Sequence, residues 1–96
     1  MAEFIITRED HGSKGRYVIR LDGAEAEVTF SVTSPTLIIA DHTGVPDSFR
    51  GTGAGLALVT RMVEDARAQG FKIMPLCPFV NAQRKKHPEW ADAFAV

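Results

Sequence analysis

The sequence predicts a mixed α/β (α+β) fold with a mostly antiparallel sheet, one long helix and short C-terminal helices. Three observations support this. Residues 24–32 alternate between apolar and polar side chains, which is typical of a strand with one buried face. Apolar residues then recur at three- and four-residue steps over residues 56–66, as on the buried face of a helix. The length of 96 residues fits a single domain covering residues 1–96.

The first forty residues are predicted to form four strands. Residues 3–8 make a short strand, and residues 16–21 make an alternating one after a turn at residues 11–15. Asp22 and Gly23 are a strong signal for a two-residue hairpin turn. Residues 36–40 are apolar without alternation, which indicates a central strand covered on both faces. Because Pro46 cannot donate to a strand ladder, we expect residues 41–46 to leave the sheet, with Gly44 as a bulge.

The second half is predicted to be mainly helical. The long helix runs from about residue 53 to residue 69, and Gly70 is placed to end it. A strand at residues 71–76 follows, and Pro78 suits the start of a short helix at residues 78–86. A final turn or two at residues 88–94 is expected to bury Trp90 and Phe94.

The composition argues against several classes of protein. A net charge of −1 gives no sign of a surface for nucleic acid or anionic lipid. No apolar run approaches the roughly 20 residues that a membrane span needs. The single cysteine, Cys77, excludes an internal disulfide and fits a reducing compartment. Residues 1–10 lack the pattern of a signal peptide, so the expected location is cytoplasmic.

The glycine-rich stretch at residues 50–56 is the most informative part of the chain. Arg50 precedes three glycines at alternate positions, and no acidic residue occurs from Gly51 to Val63. Glycine allows a ligand to approach the backbone closely, and the first N–H groups of a helix carry partial positive charge. The stretch therefore predicts an anion site suited to phosphate.

Two common phosphate motifs do not match this stretch. A P-loop needs Lys and Ser or Thr after its last glycine, whereas Leu56 and Ala57 follow Gly55. The dinucleotide fingerprint needs a third glycine at the position of Leu56. The remaining pattern is Arg-x-x-Gly-x-Gly, and the structural alternative is a flexible surface loop.

Four motifs together resemble the YjdJ-type subgroup of the GNAT superfamily, the acetyl-CoA-dependent N-acetyltransferases. They are His-Thr-x-Val-Pro at residues 42–46, Arg-Gly-x-Gly at residues 50–53, Pro-x-Cys-x-Phe-Val at residues 75–80, and His-Pro-Glu-Trp at residues 87–90. They occur in the same order over most of the chain. The resemblance implies a truncated GNAT fold that forms a minimal acetyl-CoA-binding domain.

The resemblance also implies a cofactor, acetyl-CoA or CoA, and a place for it. In larger relatives two adjacent strands diverge and the pantetheine arm enters the gap; here those strands would be residues 36–45 and 71–76. Strand backbone would bind the pantetheine amides, and the glycine-rich stretch would hold the pyrophosphate. The implied cofactor-binding residues are Thr43, Val45, Arg50, Gly51, Thr52, Gly53, Ala54, Gly55, Leu56 and Asn81.

Cys77 and His42 are the candidate catalytic residues. Cys77 could be a nucleophile that holds the acetyl group, a proton donor to the CoA sulfur, or an inert buried thiol. Its position before Pro78 suggests a helix start that could stabilise a thiolate. His42 could be the general base, since imidazole titrates near neutral pH, or it could have a structural role beside a bulge.

Two departures from the subgroup bear on activity. The subgroup often carries Tyr and Ser where this chain has Phe79 and Pro78, and phenylalanine cannot donate a proton. The leading hypothesis is an N-acetyltransferase acting on an amine of a small molecule or a protein. The alternative is a CoA-binding module with little or no turnover. We expect no nucleic acid or membrane partner, no metal, and a monomer or weak homodimer.

Overall fold

Five strands form one sheet in the computed structural model, which describes residues 4–96. The mixed α/β fold predicted from the sequence is confirmed. The strands lie in chain order: β1 (Thr7–His11), β2 (Lys14–Leu21), β3 (Ala24–Ser34), β4 (Leu37–Gly44) and β5 (Lys72–Pro75). The helices are α1 (Ala54–Gln69) and α2 (Pro78–Lys86), with short 3₁₀ helices at Asp47–Phe49 and Pro88–Ala93.

Strands β1 to β4 are antiparallel, and tight turns set their register. The β2–β3 turn at Asp22 and Gly23 has positive φ angles of 53° and 80°, as the hairpin signal predicted. The prediction of the first strand at residues 3–8 was too early in the chain, because β1 begins at Thr7 and runs to His11. Its turn needs only two residues since Gly12 takes a φ of 63°. Of the predicted first strand, Glu3 lies outside the described residues.

Strand β4 continues four residues beyond its predicted end. Residues 41–44 stay in the sheet, and Gly44 pairs with Glu27 of β3. The irregularity lies at Asp41 instead of Gly44, because Thr29 pairs with His42 while Phe30 pairs with Ala40. The extra residue changes the course of β4 while leaving it bonded to β3. The extension is possible because β3 is long, with 11 residues, and its first half pairs with the end of β4. The local sequence of β4 did not reveal this pairing.

Helix α1 covers one face of the sheet and buries the main core against it. It begins after Gly53 and ends at Gly70, both with φ of 79°, and the Gly70 N–H bonds to the Ala66 carbonyl oxygen at 2.9 Å. These helix limits agree with the prediction. The largest fully buried side chains of this core are Tyr17, Ile19, Val28, Phe30, Leu58, Val59, Met62, Val63, Ile73 and Val80.

The C-terminal residues complete the other edge of the sheet. Residue Phe94 forms a parallel bridge with Ile73, and the Ala95 N–H bonds to the Ile73 carbonyl oxygen at 2.9 Å. Trp90 and Phe94 are buried, as predicted. This packing covers the free edge of β5 at Ile73.

A polar contact joins α1 to the sheet inside the core. The Tyr17 hydroxyl donates to an Asp65 carboxylate oxygen at 2.8 Å. Burial, together with this bond, raises the pKa of the Tyr17 phenol. On the same flank of α1, Arg61 donates to the Ile6 carbonyl oxygen at 3.2 Å and pairs with Asp65. The segment before β1 is therefore bonded to the helix.

The opposite face of the sheet is open and carries charged side chains. Arg16 lies between Glu9 and Glu27, at 2.7 and 2.9 Å, and Arg20 pairs with Glu25 at 2.6 Å. Val18, between these two arginines in sequence, is buried. Among residues 4–96, no helix is long and apolar enough to cross a membrane.

Candidate active site

An opening forms where β4 and β5 separate. The two strands pair in parallel from Leu37 with Lys72 to Ala40 with Pro75. Beyond that point β4 continues along β3, whereas β5 ends. Pro75 has no N–H to extend the ladder, and the Ala40 carbonyl oxygen accepts instead from the Cys77 N–H at 2.9 Å. The divergence expected from the family resemblance is thus present.

Cys77 lies at the mouth of this opening and contacts the facing strand. Its Sγ is 3.2 Å from Thr43 Oγ1, and its side chain is buried. Cys77 is also the N-cap residue of α2, with Pro78 as the first helical residue, as the sequence indicated. The structure therefore brings together one candidate catalytic residue and one candidate cofactor-binding residue.

His42 lies on the other side of the sheet from Cys77. Thr43 pairs with the core residue Val28, and His42 pairs with Thr29. Because successive side chains of a strand point to opposite faces, Thr43 faces the α1 side and His42 faces the open side. The His42 side chain is exposed. The two candidate catalytic residues therefore flank the opening from opposite faces.

The glycine-rich stretch forms a capped and open start to α1. The Thr52 hydroxyl donates to the Phe49 carbonyl oxygen at 2.6 Å and accepts from the Ala54 N–H at 3.3 Å. The first regular helical bond runs from the Ala57 N–H to the Gly53 carbonyl oxygen at 2.9 Å. The N–H groups of residues 55 and 56 precede that bond, so they belong to the first turn that has no helical acceptors. Such groups suit an anion.

The glycines of this stretch have different structural roles. Gly51 and Gly53 have φ of 78° and 79°, and a Cβ on either would meet no atom of the described residues within 4 Å. A Cβ on Gly55 would lie 2.8 Å from Phe79 Cζ and 3.5 Å from Val45 Cγ2. The first two leave open space in front of the backbone. The third permits close packing between α1, the end of β4 and α2.

Arg50 is exposed at the surface beside this loop. Its side chain is 83% exposed, and its guanidinium lies 3.3 Å from the Asp47 carboxylate. No acidic residue lies in the first turn of α1. Arg50 is thus an exposed cation with a long side chain at the edge of the loop, and Asp47 offsets part of its charge.

Asn81 lies on α2 one turn after Cys77. Its N–H bonds to the Cys77 carbonyl oxygen at 2.9 Å, and its Oδ1 accepts from Arg84 Nε at 2.8 Å. Within residues 4–96, no group of three or more His, Cys, Asp or Glu side chains is arranged to hold a metal ion.

Sequence reasoning did not find two features of the site. The contact of Phe79 with Gly55 joins α2 to the start of α1, although the two residues are far apart in sequence. Phe4 and Ile6, from the segment before β1, line a cavity beside α1. Their apolar character was visible in the sequence, but a strand was expected there.

The comparison with family models decides the family. A model described as GCN5-related N-acetyl-transferase matches residues 16–93. The chain belongs to the GNAT family. Among solved structures, this GNAT protein is similar to the NMR solution structure of a GCN5-like protein from Staphylococcus aureus. The identity is 30%, the TM-score is 0.70, and the match covers 98% of this chain and 90% of the other. A comparison with curated proteins gave no match.

Proposed function

We propose that this GNAT protein is an acetyl-CoA-dependent N-acetyltransferase that acts on an amine of a small molecule or a protein. The observation that carries the proposal is the opening between β4 and β5, where Cys77 Sγ lies 3.2 Å from Thr43 Oγ1. The glycine-rich start of α1 lies beside the same opening, since a Cβ on Gly55 would lie 2.8 Å from Phe79 and 3.5 Å from Val45. Family membership supports acetyl transfer in general.

The residues present fit a CoA chain in two respects. Beyond Ala40, β4 pairs only with β3 among the described strands, so the backbone of Thr43 and Val45 is available to the pantetheine amides. In front of Gly51 and Gly53 there is open space for phosphate oxygens. When bound, acetyl-CoA supplies a thioester carbonyl as the electrophile. Asn81, on the first turns of α2, is proposed as a further contact to the cofactor.

The two candidate catalytic residues suit proton transfer on opposite sides of the opening. A lysine amine has an unperturbed pKa of about 10.4, so it must lose a proton before it can attack. The exposed His42 imidazole on the open face is the proposed proton acceptor, and the amine would approach from that face. Cys77 Sγ on the α1 side is the proposed proton donor to the departing sulfur. This division needs no direct contact between His42 and Cys77.

The order and spacing of the four motifs support membership of the YjdJ-type subgroup, with Phe79 in place of the frequent tyrosine. One observation favours the alternative, a CoA-binding module with little turnover. The Phe79 ring is packed against Gly55 and carries no hydroxyl for proton transfer. Binding would then persist without catalysis. The measurement below separates the two functions.

The test of the proposed function is acetyl transfer to a panel of amines and peptides, followed by detection of free CoA thiol. We expect turnover by the wild-type protein and a loss of about 10²–10⁴-fold in Cys77→Ala, the usual range for general acid–base help. His42→Ala should lose activity similarly, whereas His11→Ala, in the exposed β1–β2 hairpin, should not. Mass spectrometry after mixing with acetyl-CoA should show no hydroxylamine-sensitive adduct, because the amine attacks directly. Full activity of Cys77→Ala would remove this cysteine from the mechanism.

Titration with CoA tests the binding site separately. Gly53→Ala should weaken CoA binding, because a methyl group would project into the space proposed for phosphate. Gly23→Ala is the matched control, since Gly23 has φ of 80° and equally open surroundings in the β2–β3 turn. Equal affinity in both variants would place the phosphates elsewhere. CoA binding without thiol release from any amine would favour the binding module.

A further inference from the structure

The cavity beside α1 adjoins the glycine-rich loop on the side away from the strand opening. Its volume is about 600 Å³, within the range of roughly 300–1,000 Å³ that small-molecule sites occupy. Thr52 and Gly53 form one end of it, and Leu56 and Ala57 form the wall contributed by α1. The cavity and the proposed phosphate site therefore share residues.

The position of this cavity around α1 is set by helix geometry. Successive residues of a helix are rotated by about 100°. Gly55 faces Phe79 and Val45 at the strand opening, so Leu56 and Ala57 face about 100° and 200° away from it. The loop thus lies between the opening on one side and the cavity on the other.

The lining of the cavity suits a flat, uncharged ring. Phe4 and Ile6 form the wall opposite α1, and both pack against the core. Arg61 also lines the cavity, but it is already paired with Asp65 at 3.2 Å and bonded to the Ile6 carbonyl oxygen. Glu64 at the far end can accept a hydrogen bond and would repel another phosphate. The lining has an aromatic face, aliphatic contacts and a carboxylate acceptor.

We propose that this cavity binds the adenine ring of CoA, with the ring against Phe4 and Leu56 and its exocyclic amino group towards Glu64. This inference rests on the proposed function, because it assumes that the pyrophosphate lies on the loop. In CoA the pyrophosphate joins the pantetheine arm to the adenosine. If the arm enters the opening on the Gly55 side, the adenosine extends to the other side of the loop, where the cavity lies. The segment before β1 then serves as part of the cofactor site.

Intermolecular NOEs measured by NMR on the wild-type protein with bound CoA test this inference directly. We expect NOEs from the adenine H2 and H8 protons to the Phe4 ring and the Leu56 methyl groups. Phe4→Ala should weaken CoA binding by about fivefold or more, the loss expected when an aromatic partner of a base is removed. Ile5→Ala is the matched control, since the Ile5 side chain is 87% exposed and does not line the cavity. Its affinity should stay within twofold of the wild type.

Each other outcome contradicts the inference in a distinguishable way. Adenine NOEs to Arg84 or Lys85 of α2, with none to Phe4 or Leu56, would overturn it while leaving CoA binding and the proposed function in place. Equal affinities of Phe4→Ala and Ile5→Ala would do the same, provided that the amide spectra of both variants show the native fold. A wild-type protein that does not bind CoA at millimolar concentration would overturn both proposals.

Discussion

Gly55 and Phe79 provide a sharp test of the packing at the start of α1. In Gly55→Ala, the new Cβ would lie 2.8 Å from Phe79 Cζ and 3.2 Å from Cε2. Ordinary carbon contacts are about 3.5–4.0 Å, so the ring must move by about 0.7 Å or more. Overpacking of this kind costs about 1–3 kcal/mol. Alanine regains up to about 1 kcal/mol over glycine in a helix, and less in its first turn.

The net expectation is a loss of about 1 kcal/mol in the free energy of unfolding. For a domain of this size, that corresponds to a fall in Tm of about 4–8 °C. The assay is thermal and urea unfolding followed by circular dichroism. The magnitude is moderate because the atom displaced is the end of a side chain that is only partly buried.

A double-mutant cycle supplies the control for this prediction. In the background of Phe79→Ala the clash is absent, so Gly55→Ala should stabilise the protein instead. The reversal of sign is the signature of the Gly55–Phe79 contact. The same effect of Gly55→Ala in both backgrounds would refute the reasoning and show that the ring does not determine the need for glycine here.

Three further predictions concern other contacts of the fold and site. Tyr17→Phe should lose about 1 kcal/mol of stability, because it removes the hydroxyl that bonds to Asp65. Burial raises the pKa of the Tyr17 phenol in the folded state, so the wild-type protein holds this proton more tightly than the unfolded chain does. The contribution of the protonated Tyr17 phenol to stability is therefore complete below pH about 10 and is lost as the pH rises further. Urea midpoints should fall more steeply above that pH in the wild type than in Tyr17→Phe, and parallel curves of midpoint against pH would contradict this. Gly70→Ala should cost about 1–2 kcal/mol in the same unfolding assay, since its φ of 79° is left-handed and no nearby atom of the described residues blocks a methyl group. An unchanged midpoint would contradict the left-handed conformation of residue 70. Arg50→Ala should weaken CoA binding about fivefold at low salt and less at high salt, whereas Asp47→Asn should strengthen it by freeing the guanidinium; calorimetry that finds both variants equal to the wild type would exclude Arg50 from the phosphate site.

Local patterns in the sequence predicted most of the regular structure. The alternation of β3, the apolar stripe of α1, its glycine end and the proline at the start of α2 all depend on contacts within a few residues. These predictions are confirmed. The prediction of a strand at residues 3–8 was wrong in its position. The apolar Phe4 and Ile6 pack against the core beside α1, and the strand begins only at Thr7.

The resemblance of the four motifs predicted the region of the candidate site, but long-range pairing decided its geometry. The position of the bulge at Asp41 depends on which β3 residue faces each β4 residue, and a shift of one residue reverses the face of every side chain. The placement of Thr43 with Cys77, and of His42 on the opposite face, follows from that register. The assigned roles of these residues stay predictions.

The sequence by itself determined the family, the order of most elements and the glycine-rich helix start, because these depend on short-range periodicity and on motifs of fixed spacing. Only the tertiary structure decided that β4 stays bonded to β3 through Gly44, that Phe79 closes on Gly55, and that Phe4 lines a cavity next to the loop. Each of these contacts joins residues that are 13 or more positions apart in the chain. Their geometry depends on packing between whole elements, which no local pattern encodes.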